Sequence, residues 1–232
     1  MATPQNTLTL WHCMSARSFR PLWTLEEMGL PYELKMLPFP PRVFQKDYLG
    51  INPLGTIPFF QDGETKMTES SAISQYLVTK YGPTPLNVGV DEPAYGAFLN
   101  ALHFSEATLT FPQTVFLRYT LQEPNAGLGK AAEDYAKWFG GRLRGVTAVV
   151  SENEFWCAGR FTAADICVGY ALMLAERLQL DHLFTDPVRD YWKRLQGRDG
   201  FRRALASQEK AAQEQNVFNP PSMEVPAKQA KA

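Results

Sequence analysis

The chain has 232 residues with a formal net charge of −1, 45% hydrophobic and 12% aromatic residues. This is enough apolar material for one large or two modest packed domains and excludes a disordered chain, while the charge balance gives no electrostatic case for nucleic acid or a membrane surface. No apolar run reaches the roughly 18 residues of a membrane span, MATPQNTLTL lacks the form of a signal peptide, and Cys13, Cys157 and Cys167 show no metal-ligand spacing. A soluble, cytoplasmic protein with reduced cysteines and no metal is expected.

Leu8 to His12 alternates apolar and polar residues and predicts a first strand. Cys13 to Ser18 is a loop before a helix with Leu22, Leu25 and Met28 at helical spacing, and Gly29 suits its end. Pro31 to Leu37 alternates again as a second strand, and Arg42 to Leu49 reads as a short irregular helix. Asn52-Pro53-Leu54-Gly55 is a turn, Ile57-Pro58-Phe59-Phe60 an apolar strand-like run, and Asp62-Gly63 a hairpin signal. Thr68-Glu69-Ser70-Ser71 then precedes a helix with Ile73, Tyr76 and Leu77 on one face. The order βαβ then ββα predicts a mixed sheet, since parallel strands need a crossover and a hairpin adds antiparallel ones. It is the thioredoxin-like order, over residues 1–82.

Proline cannot donate to a strand ladder, so Pro58 needs a special place. A cis Ile57–Pro58 bond would turn the N–H and C=O of Ile57 outward as a docking edge for a peptide. The helix start at Glu69-Ser70 offers free N–H groups and a partial positive charge to an anion. Together they describe a site for a small acidic peptide.

Residues 83–93, rich in Pro and Gly, read as a linker to an all-helical domain over 94–218. Ala94 to Leu121 has helical periodicity that Pro112 should kink or break. Lys130 to Val150 presents Tyr135, Phe139, Leu143 and Val146 inward, and its Gly140-Gly141 pair suggests close packing or a bend. Thr162 and Asp165 form a capping box opening an apolar helix from Ile166 to Leu178, and Pro187 to Gln196 reads as one more helix. The Pro- and Ala-rich stretch 219–232 is expected to be disordered.

Asn52 to Pro58, as N-P-x-G-x-I-P, and Glu69 to Ile73, as E-S-x-A-I, stand in order on either side of the hairpin. The pair resembles the glutathione site of the cytosolic glutathione transferases, and Thr162 to Ile166 resembles their S/T-x-A-D-I box. The resemblance covers about residues 8–205 and implies a thioredoxin-like domain followed by an all-helical one. It further implies glutathione as cosubstrate, a hydrophobic electrophile in a cleft between the domains, and a homodimer. Residue by residue, Pro58 matches the cis-proline, Ile57 the residue whose backbone pairs with the cysteinyl unit, and Glu69 and Ser70 the γ-glutamyl site. Thr56 departs from the Lys or Gln often found there. Val43 and Phe44 occupy spots where basic residues hold the glycyl carboxylate, with Arg42 nearby.

The thiolate of glutathione is the nucleophile, so a donor is needed beside a sulfur whose free thiol titrates near about 8.5. By resemblance Ser15 aligns with the catalytic serine of the plant phi-type enzymes. Pro21 favours a helix beginning a turn later, with Ser18 at the N-cap and Ser15 in the loop above the sulfur. Ser15 and Ser18 both remain candidates; Cys13 offers a glutaredoxin-like alternative, and Arg17 reads as solvated. Trp11, His12, Met14 and Phe39, facing His103, Phe104, Phe111 and Phe116, are available for the electrophile pocket, with His103 read as an interior histidine rather than a base. A glutathione transferase is the leading reading. Its rivals are a glutathione-dependent dehalogenase, ether-cleaving lyase or isomerase on the same scaffold, and a non-catalytic glutathione-binding module.

Overall fold

The computed structural model describes residues 6–217, and the stretch 219–232 lies outside the described residues, as does Phe218. Strand β1 (Leu8–His12) pairs in parallel with β2 (Tyr32–Met36), across helix α1 (Phe19–Met28). A four-residue helix α2 (Pro41–Phe44) and a 3₁₀ turn (Lys46–Gly50) lead to β3 (Phe59–Asp62), β4 (Thr65–Met67) and helix α3 (Ser70–Lys80). The sheet order is β2-β1-β3-β4, with Leu10 opposite Phe60 and Phe60 opposite Met67 in antiparallel pairs. This is the mixed thioredoxin-like sheet. One detail differs: β3 begins at Phe59, so Pro58 stands before the ladder, where its missing N–H costs nothing.

Helix α1 starts late, as Pro21 requires. Ser18 is at the N-cap and Pro21 falls in the first turn, where no internal donor is needed. Gly29 ends it at φ 62, its N–H returning to the Glu26 carbonyl and that of Leu30 to Leu25.

The rest is helical: α4 (Tyr95–His103), α5 (Phe111–Leu117), α6 (Gly129–Val150), α7 (Ala163–Arg177), α8 (Asp186–Gln196) and α9 (Asp199–Glu214). Pro112 does not break the chain's course. A π-helical segment, Phe104–Thr110, runs directly into α5, and Pro112 takes that helix's second position. Gly140 and Gly141 are not tight: a Cβ on Gly140 would meet Leu183 at 3.5 Å, ordinary contact. The Thr162–Asp165 box forms as expected, with the Thr162 N–H donating to Asp165 Oδ2 at 2.8 Å and the Ala164 N–H donating to Thr162 Oγ1 at 3.3 Å. No helix among the described residues is long and apolar enough to cross a membrane.

Helix α9 has no counterpart in the sequence reading, and it decides much of the packing. Phe201 stacks edge-on against Trp23 of α1, ring centroids 4.9 Å apart. Arg198 grips Glu27 of α1 with two bonds, 2.8 and 2.9 Å. The hydrophobic core is continuous from Leu8 and Leu10 of the sheet to Tyr170 and Val188 of the helices. No regular element lies between α3 and α4, yet that stretch is pinned. Leu86 and Val88 are buried, and Arg160 donates to the carbonyls of Pro85 and Asn87.

Candidate active site

A cleft of about 910 Å³ lies between the sheet's edge loops and helices α5 and α7. One wall grows from the Asn52 turn. Asn52 is buried, and its Nδ2 donates to the Thr56 carbonyl at 2.8 Å, which also accepts from the Tyr48 hydroxyl at 2.8 Å. Gly55, at φ 60, passes so close to Arg42 and Leu49 that a Cβ would approach them to 2.8 and 2.9 Å. The turn delivers a cis Ile57–Pro58 bond to the cleft, and both residues line it. Thr56 and Arg42 line the same end.

A second wall is the start of α3. Glu69 holds the N-cap position and is exposed; Ser70 is the first helical residue and is buried, and both line the cleft. The Ser70 hydroxyl is held from below, accepting from Arg20 Nη1 at 2.9 Å. Arg20 is fully buried and is the hub of this region. It donates to Glu106 Oε2 at 2.6 Å, to Thr110 Oγ1 at 2.8 Å, and to the carbonyls of Ser105 and Cys167 at 3.2 Å. Its guanidinium lies 4.4 Å from the Tyr170 ring centre. Arg17 is not solvated as the sequence suggests: it binds Glu106 Oε1 at 2.6 Å and Thr114 Oγ1 at 2.7 Å. Burial alone would raise the Glu106 carboxyl, but the Arg20 and Arg17 guanidiniums outweigh it and hold the group below its ordinary range. The sequence signal for this hub was faint, two arginines at i, i+3 and one glutamate in an apolar stretch.

The third wall is the loop before α1, and it separates the two candidate serines. Ser15 lines the cleft and adopts φ 52, a left-handed conformation that costs a non-glycine residue about 1 kcal/mol or more. Gln208 of α9 stabilises it there. The Ser15 N–H donates to Gln208 Oε1 at 2.9 Å, and Gln208 Nε2 donates to Ser15 Oγ at 3.1 Å. Ser18 is fully buried, and its hydroxyl accepts from the Cys13 N–H at 3.4 Å. It is not among the residues lining the cleft, and its hydroxyl caps no helical N–H. Cys13 is also buried away from the cleft, its thiol pushed up by burial and facing the Pro38 carbonyl at 3.7 Å. A thiol held neutral there is unsuited to the glutaredoxin-like reading.

The helical wall departs from the expected aromatic set. Met14 and Phe39 line the cleft, but His12 is buried, His103 is exposed rather than interior, and Phe111 packs outward on Tyr135. Leu117 at the end of α5 and Leu121 beyond it, with Leu174 of α7 and Leu178 just past that helix, supply the apolar surface instead. Arg118 and Arg177 stand among them. Arg118 is paired with Glu123 at 3.0 Å, whereas Arg177 has no ion pair or hydrogen bond among the described residues.

Comparison with known proteins agrees with this fold. Residues 6–79 match the family described as glutathione S-transferase, N-terminal domain, a segment containing Ser15, Ile57, Pro58, Glu69 and Ser70. Glutathione S-transferase 3 of Schizosaccharomyces pombe is 28% identical over 203 residues, covering 81% of this chain and 82% of that protein. Glutathione S-transferase F10 of Arabidopsis thaliana is 36% identical over 91 residues, or 37% of this chain and 41% of that protein. Among solved structures, the glutathione transferase URE2P6 of Phanerochaete chrysosporium, in complex with oxidized glutathione, superimposes with a TM-score of 0.77 at 25% identity. That match covers 89% of this chain and 98% of the other. With the thioredoxin-like sheet, the helical partner and the matched N-terminal segment all in agreement, residues 6–79 form a glutathione S-transferase N-terminal domain, and the chain as a whole is similar in sequence and fold to the glutathione transferases.

Proposed function

We propose that this protein is a glutathione transferase that binds glutathione along Ile57–Pro58 and the start of α3 and activates its thiol with Ser15. One observation carries the reading: three segments far apart in sequence bring Ser15, the cis Ile57–Pro58 pair and Glu69–Ser70 to one cleft. Ser70 and the free N–H groups of α3 suit the γ-glutamyl carboxylate, Glu69 its ammonium, and Arg42 beside Thr56 suits the glycyl end. A hydroxyl donating to sulfur favours the thiolate, and the cleft accommodates an electrophile for attack by addition or displacement.

Ser15→Ala is expected to raise the thiol pKa of bound glutathione and to slow conjugation of chlorodinitrobenzene about 10- to 100-fold, the worth of one hydrogen bond to an anion. The 240 nm thiolate absorbance of the bound peptide reads this directly. Bound glutathione with an unshifted thiol and no turnover in the wild type would favour the non-catalytic module.

The electrophile side joins leucines with Arg177, which has no ion pair among the described residues, and this suits an aryl or alkyl electrophile bearing a carboxylate. Arg177→Gln is expected to raise KM for chloronitrobenzoate about tenfold and leave KM for neutral chlorodinitrobenzene unchanged. Equal effects on the two substrates would remove this assignment. A homodimer is in keeping with exposed Val43, Phe44, Leu49, Ile51 and Leu54 clustered before β3, and a cytoplasmic location with three unpaired cysteines.

A further inference from the structure

Gln208 lies within α9, fully buried, 193 residues along the chain from Ser15. The Ser15 backbone N–H can only donate, so its 2.9 Å bond to Gln208 fixes which end of the amide is oxygen. That oxygen also faces His12 Nε2 at 3.0 Å, which makes Nε2 the protonated nitrogen of the ring. Burial lowers His12 to about 4, so the imidazole is neutral near pH 7; its Nδ1 makes no hydrogen bond among the described residues, although the Ser18 backbone is close enough to interact with the ring. The amide oxygen thus receives two N–H donors, and the amide nitrogen donates to Ser15 Oγ.

These assignments dictate where the Ser15 proton goes. Its oxygen is already an acceptor for Gln208, and the amide oxygen is occupied, so the hydroxyl hydrogen turns away from Gln208 toward the cleft. A hydroxyl that accepts from one side is a better donor on the other. We propose that Gln208 is a positioning residue: it orients and polarises the Ser15 hydroxyl as a donor into the cleft, so that the C-terminal helix tunes the acidity of the glutathione thiol. The inference rests on Ser15 being the donor to that thiol.

The test is a thiolate titration of glutathione bound to the full-length wild type, Ser15→Ala, Gln208→Met and the double variant. Affinity for S-methylglutathione, which has no thiol, is measured alongside. Gln208→Met is expected to raise the bound thiol pKa by about one unit, roughly a tenfold loss of thiolate. S-methylglutathione affinity should change less than about twofold, and the double variant should titrate like Ser15→Ala, because both lesions remove one donor. Gln208→Glu tests the same point with a polar side chain, since a carboxylate would accept the Ser15 proton and withdraw it from the sulfur. It should match Gln208→Met, and it serves alone if Gln208→Met does not fold. If Ser15→Ala raises the pKa but neither Gln208 variant does, or if their effects add to that of Ser15→Ala, the positioning role is overturned while the transferase reading stands. If Ser15→Ala leaves the bound thiol unchanged, both are overturned.

Discussion

Arg20→Met is expected to destabilise the protein by about 3–5 kcal/mol and to weaken glutathione binding at the same time. Arg20 is fully buried and donates to Glu106, Thr110, Ser70 and the carbonyls of Ser105 and Cys167. Methionine fills much of the volume but donates nothing, so Glu106 keeps only Arg17 as its cation and several acceptors lose their partners. The Ser70 hydroxyl would lose the bond that holds it at the start of α3. Arg20→Lys should recover less than half of the loss, because one ammonium cannot reach acceptors placed around a planar fork. Urea unfolding and calorimetric titration with glutathione measure the two effects. A stability loss below about 1 kcal/mol would mean that burial of the hub contributes no more than an ordinary surface pair.

Asp165→Ala is expected to cost a similar amount, about 3–5 kcal/mol, without touching the cleft. The carboxylate accepts from the backbone N–H groups of Trp156 and Thr162 at 2.7 and 2.8 Å, and from the Tyr191 hydroxyl at 2.9 Å. It therefore ties the α6–α7 loop and α8 to the first turn of α7. Burial pushes its carboxyl up despite those donors, which shows how deep the group lies. Alanine strands two buried N–H groups and a phenol, whereas Asp165→Asn keeps an acceptor and should lose roughly half as much. The expected signature is a lowered unfolding midpoint with glutathione affinity per folded molecule unchanged. Loss of affinity at full folding would contradict a purely structural role.

How far the site could be read from sequence varied by residue, for physical reasons. Pro58 announced itself because proline cannot join a ladder, and Pro21 moved the start of α1 to Phe19 for the same lack of an N–H. Thr162 and Asp165 were legible because a capping box is a contact between residues three apart. Which of Ser15 and Ser18 faces the cleft was not. It depended on Gln208 and on the Cys13 N–H taking the Ser18 hydroxyl. Helix α9 escaped notice because its buried stripe, Phe201, Ala204, Gln208 and Ala211, is short of large apolar residues, and its docking relies on Arg198 and Glu27.

Turn chemistry, helix caps, strand alternation and the cis-proline motif are properties of neighbouring residues, so the linear chain settled the βαβ-ββα order and the two segments, around Pro58 and Ser70, that line the cleft. Which polar side chains meet is another matter. Arg20 finds Glu106 across 86 positions and Gln208 finds Ser15 across 193. Such partners carry no local periodicity, and an arginine or glutamine destined for burial reads like one bound for solvent until folding removes water and leaves each donor a single acceptor to find.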